Sequence, residues 1–441
     1  MHVGERSGQR RGISETRLLG RASGYANGRQ RRFSLMSALV SPASGFALAV
    51  LGYYAFGGLV SRFFPDGNFG SIFSRAIITS IVVVSFFFSG SGKGQRYLFL
   101  YPFIIFVLLY SLRLVENVVI LGIEIKPGNG IVFGFFLVSG VLSALLLSRT
   151  FREMSDEHFS VAMSLLCVIF LIGLFLNRQQ LTIIGGSRLS LEKINPIAMG
   201  HTAFGFIIYY LLSFKRSRRL TIEAMIFVPI LLSVAVWARS RGAYLAGGGS
   251  LVLYALLLEG RRRLVTLLGA AVVIAALLAL FGTEYVDVVS QRLSAIDAET
   301  DSSTQTRSLL FAGAWQQFAD DWAFGRFAVE MRSNFYPHNI YLESLMALGV
   351  LGSIPFAVHL LLAIRATVGV IRSRRFPLVA VFAAVLFIRE AIASAGSGSL
   401  WGNSAFWVAS VMVITFWYGS KWERRSFMPR PKGALEFLSP Q

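Results

Sequence analysis

Apolar residues run along this chain in unbroken stretches of about 17 to 24 positions. They show neither the 3.6-residue stripe of a surface helix nor the alternation of a half-buried strand. Twelve such stretches can be marked, at 37–60, 72–89, 97–116, 131–148, 159–176, 197–214, 222–238, 243–258, 264–282, 340–363, 377–395 and 400–419. Segments of this length cross a bilayer as helices, because a helix satisfies its own backbone polar groups in lipid. The pattern predicts an all-α polytopic membrane protein of about twelve transmembrane helices. One polar interruption stands apart, residues 283–338, rich in Asp, Glu, Ser, Thr and Gln. It closes on Tyr336-Pro337-His338-Asn339, an imidazole and an amide where the chain turns back into apolar sequence.

Composition agrees with this pattern. Of 441 residues, 54% are hydrophobic and only 15% charged, far from the balance of a water-soluble domain. The basic residues set orientation. Alternate connections hold Arg6 to Arg32, Lys93 and Arg96, Arg149 and Arg152, Lys215 to Arg219, Arg261 to Arg263, and Arg365 to Arg375, followed by the basic tail. By the positive-inside rule both termini are expected in the cytoplasm and the long loop on the external face of the membrane. The chain then divides into a basic cytoplasmic segment (1–36), one transmembrane domain (37–420) and a basic cytoplasmic tail (421–441). The first span is expected to be a signal anchor. The net charge of +19 follows from topology and from attraction to membrane lipids, so no nucleic-acid partner is expected. A single cysteine, Cys167, rules out an intrachain disulfide and a cysteine metal cluster.

The informative charges are those that topology does not require. Arg62, Arg75 and Lys126 are expected to be interfacial anchors, and Arg113 and Arg389 to pair with neighbouring acids. Three places resist such accounts. Arg188 lies in the outer connection before the sixth span. Arg239 and Arg241 fill a very short turn in Trp237-Ala238-Arg239-Ser240-Arg241-Gly242. The long loop carries Arg292, Arg307, Arg326 and Arg332. Within the loop, Ser302-Ser303-Thr304 offers N-caps for an amphipathic helix to about Ala319, with Arg307, Phe311 and Trp315 on one face. A snorkelling interfacial arginine would give the same pattern. His338 precedes Asn339, a natural N-cap, and Glu343 follows four residues later on the same face. A histidine at a helix start is more often a satisfied polar group than a catalyst. The acidic cluster Asp297, Glu299 and Asp301 is expected to be a solvated loop, and no metal or cofactor is expected.

Taken together these pieces resemble the bacterial O-antigen ligase and polysaccharide polymerase superfamily. The resemblance rests on Ser240-Arg241-Gly242 opening a span and on Arg307 followed eight residues later by Trp315. His338-Asn339-Ile340-Tyr341-Leu342-Glu343, with Leu348-Gly349-Val350-Leu351-Gly352 after it, completes it. It covers about residues 188–360. What it implies is a membrane glycosyltransferase taking a glycan from an undecaprenyl-diphosphate-linked donor and passing it to a glycan or lipid A core acceptor. Other polysaccharide assembly proteins are further candidate partners. In the ligases, one arginine of the span-opening motif and one in the loop helix hold the diphosphate, and a histidine before Asn acts in transfer. These positions fall on Arg241, Arg307 and His338. Arg188, Arg239, Arg326, Asn339 and Glu343 are the further candidates for substrate binding. The family's Gly-x-Gly after the tryptophan helix is here Gly325-Arg326-Phe327, lacking the second glycine.

The chemistry suits these residue types. A sugar on a lipid diphosphate is already activated, so the task is to hold charge on the leaving group, which a guanidinium fork does well. Imidazole suits removal of the acceptor proton. Transfer opposite the leaving group would invert the anomeric centre without a metal. The alternative is a transporter or flippase of lipid-linked oligosaccharides. Such carriers place a long cytoplasmic link between two six-span halves and ionisable groups at midplane. Here the sixth and seventh spans are joined by about seven residues, and the charges gather at one surface.

Overall fold

The computed structural model describes residues 35–63, 67–89, 97–177, 181–184, 188–191, 196–238, 240–264, 266–267, 302–373 and 375–420. Among the described residues, eight helices are long and apolar enough to cross a membrane. In chain order these are α1 (Pro42–Val60), α2 (Phe69–Phe88), α3 (Leu98–Ile120), α4 (Asn129–Glu153), α5 (Asp156–Leu176), α6 (Pro196–Ser213) and α7 (Arg218–Trp237), with Ile340–Arg372 as the eighth. Three more expected stretches form shorter helices: α8 (Arg241–Leu257), α11 (Leu378–Ala393) and α12 (Ser404–Gly419). Between α8 and α11 lie α9 (Ser302–Asp320) and α10, the long Ile340–Arg372 helix. The expected span 264–282 lies almost wholly outside the described residues, and the cluster Asp297, Glu299, Asp301 entirely so. The described residues are mostly helical, with one addition. The connection before α6 forms a two-stranded antiparallel hairpin, β1 (Leu181–Ile184) and β2 (Arg188–Leu191).

Side-chain size and burial explain the arrangement. In α12 almost every residue from Ser404 to Ile414 is buried, as expected of a helix apolar all round. Its Trp407 ring meets Phe103 and Phe106 of α3, Phe136 of α4 and Phe356 of α10 at 5.6 to 6.2 Å between centroids. Small residues let two helices approach closely. Gly58 of α1 lies against Gly173 of α5, where a Cβ would come within 3.0 Å of opposing backbone, and Asn177 Nδ2 donates to both carbonyls at 2.6 and 2.8 Å. The outward faces are also apolar. Phe87, Phe88, Leu112, Val119 and Ile120 are all more than 60% exposed, a surface suited to lipid tails rather than water.

One break in a helix positions the site. α10 kinks at Gly349, which takes φ 64 and ψ −172. The N–H groups of Val350 and Leu351, freed by the kink, donate to the carbonyls of Trp322 and Ala323 at 2.8 and 3.0 Å. Gly325, at φ 61, lies so close that a Cβ there would be 2.5 Å from Gly349 N. Only glycine fits both sides of this contact. α3 fastens it. Arg113, ion-paired with Glu116, donates to the carbonyls of Ala347, Phe324 and Gly325. Asn117 bonds the Arg326 carbonyl and the Ala328 N–H. Residues 321–328 are thereby held against α3 and α10.

A methyl group at this contact should undo it. Gly349→Ala combines a left-handed backbone with a Cβ 2.4 Å from Ala323, and should cost about 2 kcal/mol or more. Gly248→Ala in α8 meets nothing within 4 Å and serves as the control. Thermal unfolding in detergent should show a clear loss for the first and little change for the second. Equal unfolding temperatures would mean the kink is not a structural constraint.

Candidate active site

The end of the loop is built to fix His338. Pro337 is buried, His338 takes a left-handed backbone at φ 59, and Asn339 returns to an extended conformation as the N-cap of α10. A β-carbon-bearing residue at positive φ costs energy and persists only where its surroundings impose it. The Asn339 side chain accepts from Tyr341 N and Leu342 N at 3.0 Å each, and its amide donates to the Ala395 carbonyl at 2.9 Å. Ile340 N donates to Ser394 O, and Glu343, fully buried, accepts from Tyr110 Oη and from Leu400 N. These bonds join the start of α10 to the connection 394–403 between α11 and α12. Asn339 and Glu343 therefore hold the frame of the site. The His338 ring packs against Tyr336 at 4.4 Å and Phe335 at 5.5 Å, and its Nδ1 is buried without a partner.

Two cavities meet at this histidine, and Arg307 and His338 line both. One, of about 610 Å³, is walled by Phe311, Ala312 and Trp315 of α9 with Pro337, Ala395 and Gly396, and is mostly apolar. The other, of about 320 Å³, reaches into the bundle among Tyr53, Tyr54, Arg75, His201, Arg389, Glu390 and the 397–405 segment. α9 supplies the shared guanidinium as its sequence predicts. Leu310 and Ala314 are buried, with Ala314 packed on Leu342 and Met346, so Arg307, Phe311 and Trp315 face the cavities. No carboxylate among the described residues pairs with Arg307.

The remaining candidates fall elsewhere. Arg241 opens α8, and the next residue, Gly242, abuts His201 and Ser397 of the polar cavity wall, yet Arg241 is not among the lining residues. Arg326 is exposed, 4.0 Å from Asp321 and against the Phe327 ring, away from both cavities. Arg188 sits in β2, with its side chain outside the described residues, as is Arg239 altogether. Among the described residues no three His, Cys, Asp or Glu side chains gather as a metal site.

Sequence reasoning missed the floor of the polar cavity. Arg75, expected to be an interfacial anchor, instead lies within the bundle. Its guanidinium is sandwiched between Tyr53 and Phe135 at 4.1 and 3.9 Å and donates to Ser404 Oγ at 3.0 Å. Arg389 is paired with Glu390, as expected of adjacent charges, and also donates to the His201 carbonyl at 2.7 Å. The available signal was an arginine inside an apolar run, which in a membrane protein marks a site by default.

A helical, multi-pass membrane protein with an imidazole and a guanidinium between an apolar and a polar cavity is the class these observations define. Residues 226–357 match the O-antigen ligase family (Wzy_C), and this match over part of the chain supports the resemblance to the O-antigen ligase and polysaccharide polymerase superfamily. The match runs from within α7 to within α10 and includes Arg241, Arg307 and His338. It leaves out Arg75, Arg389 and Glu390. No curated protein matches the chain.

Burial, with the Arg307 charge second, holds His338 well below the usual imidazole value, at about 4. The ring is then neutral above that pH and can accept a proton. With His338 as proton acceptor, kcat/KM should be sustained at neutral pH and fall only as pH drops toward about 4. An anion bound at Arg307 offsets its charge and raises the imidazole, so the acid limb of kcat should lie at higher pH than that of kcat/KM. An acid limb of kcat/KM near 6.5, the value of an unperturbed histidine, would contradict this environment.

Proposed function

We propose that the protein is a glycosyltransferase of cell-surface polysaccharide biosynthesis. It takes a glycan from undecaprenyl diphosphate at the periplasmic face of the inner membrane, with both termini in the cytoplasm. The acceptor is a glycan, for a polymerase, or lipid A core, for a ligase. The observation that carries this reading is the position of Arg307 and His338 at the junction of an apolar and a polar cavity. A lipid-linked sugar has that same division, with a hydrocarbon tail, a charged diphosphate and a polar glycan in sequence.

The tail fits the cavity walled by Phe311 and Trp315, and the diphosphate then meets Arg307. The acceptor hydroxyl attacks the anomeric carbon as the bond to the diphosphate oxygen breaks. Its proton passes to the neutral His338 imidazole, and the lipid diphosphate leaves as an anion held by the guanidinium. The imidazolium returns its proton to solvent. Attack opposite the leaving group inverts the anomeric centre, and the charge on the leaving group is met without a metal. Arg241, at the mouth of α8, is the second arginine the resemblance assigns to the diphosphate. Placing it there requires its side chain to turn toward Arg307 when donor binds.

Purified variants given lipid-linked donor and acceptor test this. His338→Ala should leave donor binding intact and lower transfer by roughly two to four orders of magnitude. Arg307→Ala should abolish transfer, with Arg307→Lys recovering little because a point charge replaces a planar fork. A chelator should change nothing. Near-normal turnover by His338→Ala would remove the imidazole from the reaction, whereas a mere capping or packing role predicts loss of folded protein or a mild effect.

A further inference from the structure

The polar cavity holds a positive charge that transfer at His338 does not require. Of its three arginines, Arg389 is neutralised by Glu390, and Arg307 belongs equally to the apolar cavity. Arg75 remains. It lies six residues into α2, about 9 Å along the helix axis. No carboxylate among the described residues pairs with it, and its guanidinium donates to a neutral hydroxyl, Ser404 Oγ. A guanidinium so placed is costly unless something anionic meets it. The Tyr53 and Phe135 rings on its two faces fix the plane of the fork, so its edge is presented in one direction.

The surroundings indicate what kind of anion. Buried polar atoms without a partner include Arg75 Nε, Thr79 Oγ1, Trp401 Nε1 and His338 Nδ1, all from residues lining this one cavity. Such a concentration of unmet hydrogen-bonding capacity points to a polar occupant. Ser139, Ser397, Ser399 and Asn403 add hydroxyls and an amide, and Tyr54, Tyr336 and Trp401 add ring surface. Hydroxyls and amides interleaved with aromatic faces match a sugar, which is polar at its edge and apolar across its ring. A diphosphate would want cations and backbone donors instead, and would lie nearer Arg307.

We propose that the polar cavity is a subsite for a carboxylate-bearing sugar, with Arg75 recognising the carboxylate through its planar fork. This rests on the glycan-transfer reading and narrows it, since the donor glycan would carry an acidic sugar close to the lipid diphosphate. Arg75 is then a specificity-determining residue. Its location outside the family-matched segment is consistent with a feature that separates this chain from its relatives.

The probes are methyl glucuronide, methyl glucoside and inorganic pyrophosphate, added to the full-length protein in nanodiscs, with intrinsic tryptophan fluorescence as readout because Trp401 lines the cavity. Methyl glucuronide should bind about ten- to a hundredfold more tightly than methyl glucoside, the range of a charge-assisted hydrogen-bonded pair. Arg75→Gln should remove that difference, and Arg75→Lys should restore little of it. In transfer assays methyl glucuronide should compete with the lipid-linked donor. Equal binding of the two glycosides by the wild-type protein would overturn the proposal even if Arg75→Gln failed to fold. Pyrophosphate binding that is lost in Arg75→Gln would overturn it in favour of a phosphate site, and competition against the acceptor alone would overturn the assignment to the donor. The glycan-transfer reading is judged separately. A transfer-dead His338→Ala with no glucuronide preference in the wild type would leave that reading standing and this subsite refuted.

Discussion

The site depends on a glycine-to-glycine contact. Gly349 breaks α10 about two and a half turns from its start, and Gly325 fills the space the break creates, with the carbonyls of Trp322 and Ala323 receiving the freed N–H groups. Everything that follows is positioned from there. α9 leads into the docked segment, and the chain leaves it to reach Pro337, His338 and the Asn339 cap. Arg113 and Asn117 of α3 hold the segment down. Arg307 and His338 lie more than thirty positions apart in sequence, yet both are referred to the same anchor. Their spacing is set by backbone contact rather than by long flexible side chains.

On this frame electrostatics divides the space. At the two cavities the guanidiniums of Arg307 and Arg75 have no carboxylate partner among the described residues, while Arg389 and Arg113 are neutralised by acids beside them. Paired charges brace helices, and on the reading proposed above the two unpaired ones meet the ligand, a distinction burial alone does not make. The neutral imidazole follows from the same field. Burial and the nearby Arg307 both disfavour its protonated form, leaving an imidazole able to accept a proton and removing like-charge repulsion next to Arg307.

Much of this was legible in the chain, and the limits have physical causes. Long apolar runs reveal helices, and eleven of the twelve expected stretches are helical, eight of them long enough to cross a membrane by length and composition. The amphipathic face of α9 was readable because Arg307, Phe311 and Trp315 recur at helical spacing. The Asn339 cap was readable from residue type and position. The docked loop was not, since its strength lies in pairs distant in sequence, Gly325 with Gly349 and Asn117 with Ala328. Arg75 was misjudged because a residue four positions into an apolar run resembles an interfacial anchor until the facing rings of Tyr53 and Phe135 are known. The pairing of 181–184 with 188–191 was equally invisible, since its register joins two strands of only four residues each. Arg241 and Arg307 share a role by resemblance, but only Arg307 lines the cavities as the helices stand.

The central claim is that the junction at Arg307 and His338 receives a lipid diphosphate. An electron cryomicroscopy structure of the protein in nanodiscs with undecaprenyl diphosphate tests it most directly. The account predicts the diphosphate within hydrogen-bonding reach of Arg307, with the first isoprene units along Phe311 and Trp315 and the polar cavity free for the glycan. A lipid headgroup bound at another face of the bundle, with the junction left unfilled, would contradict it.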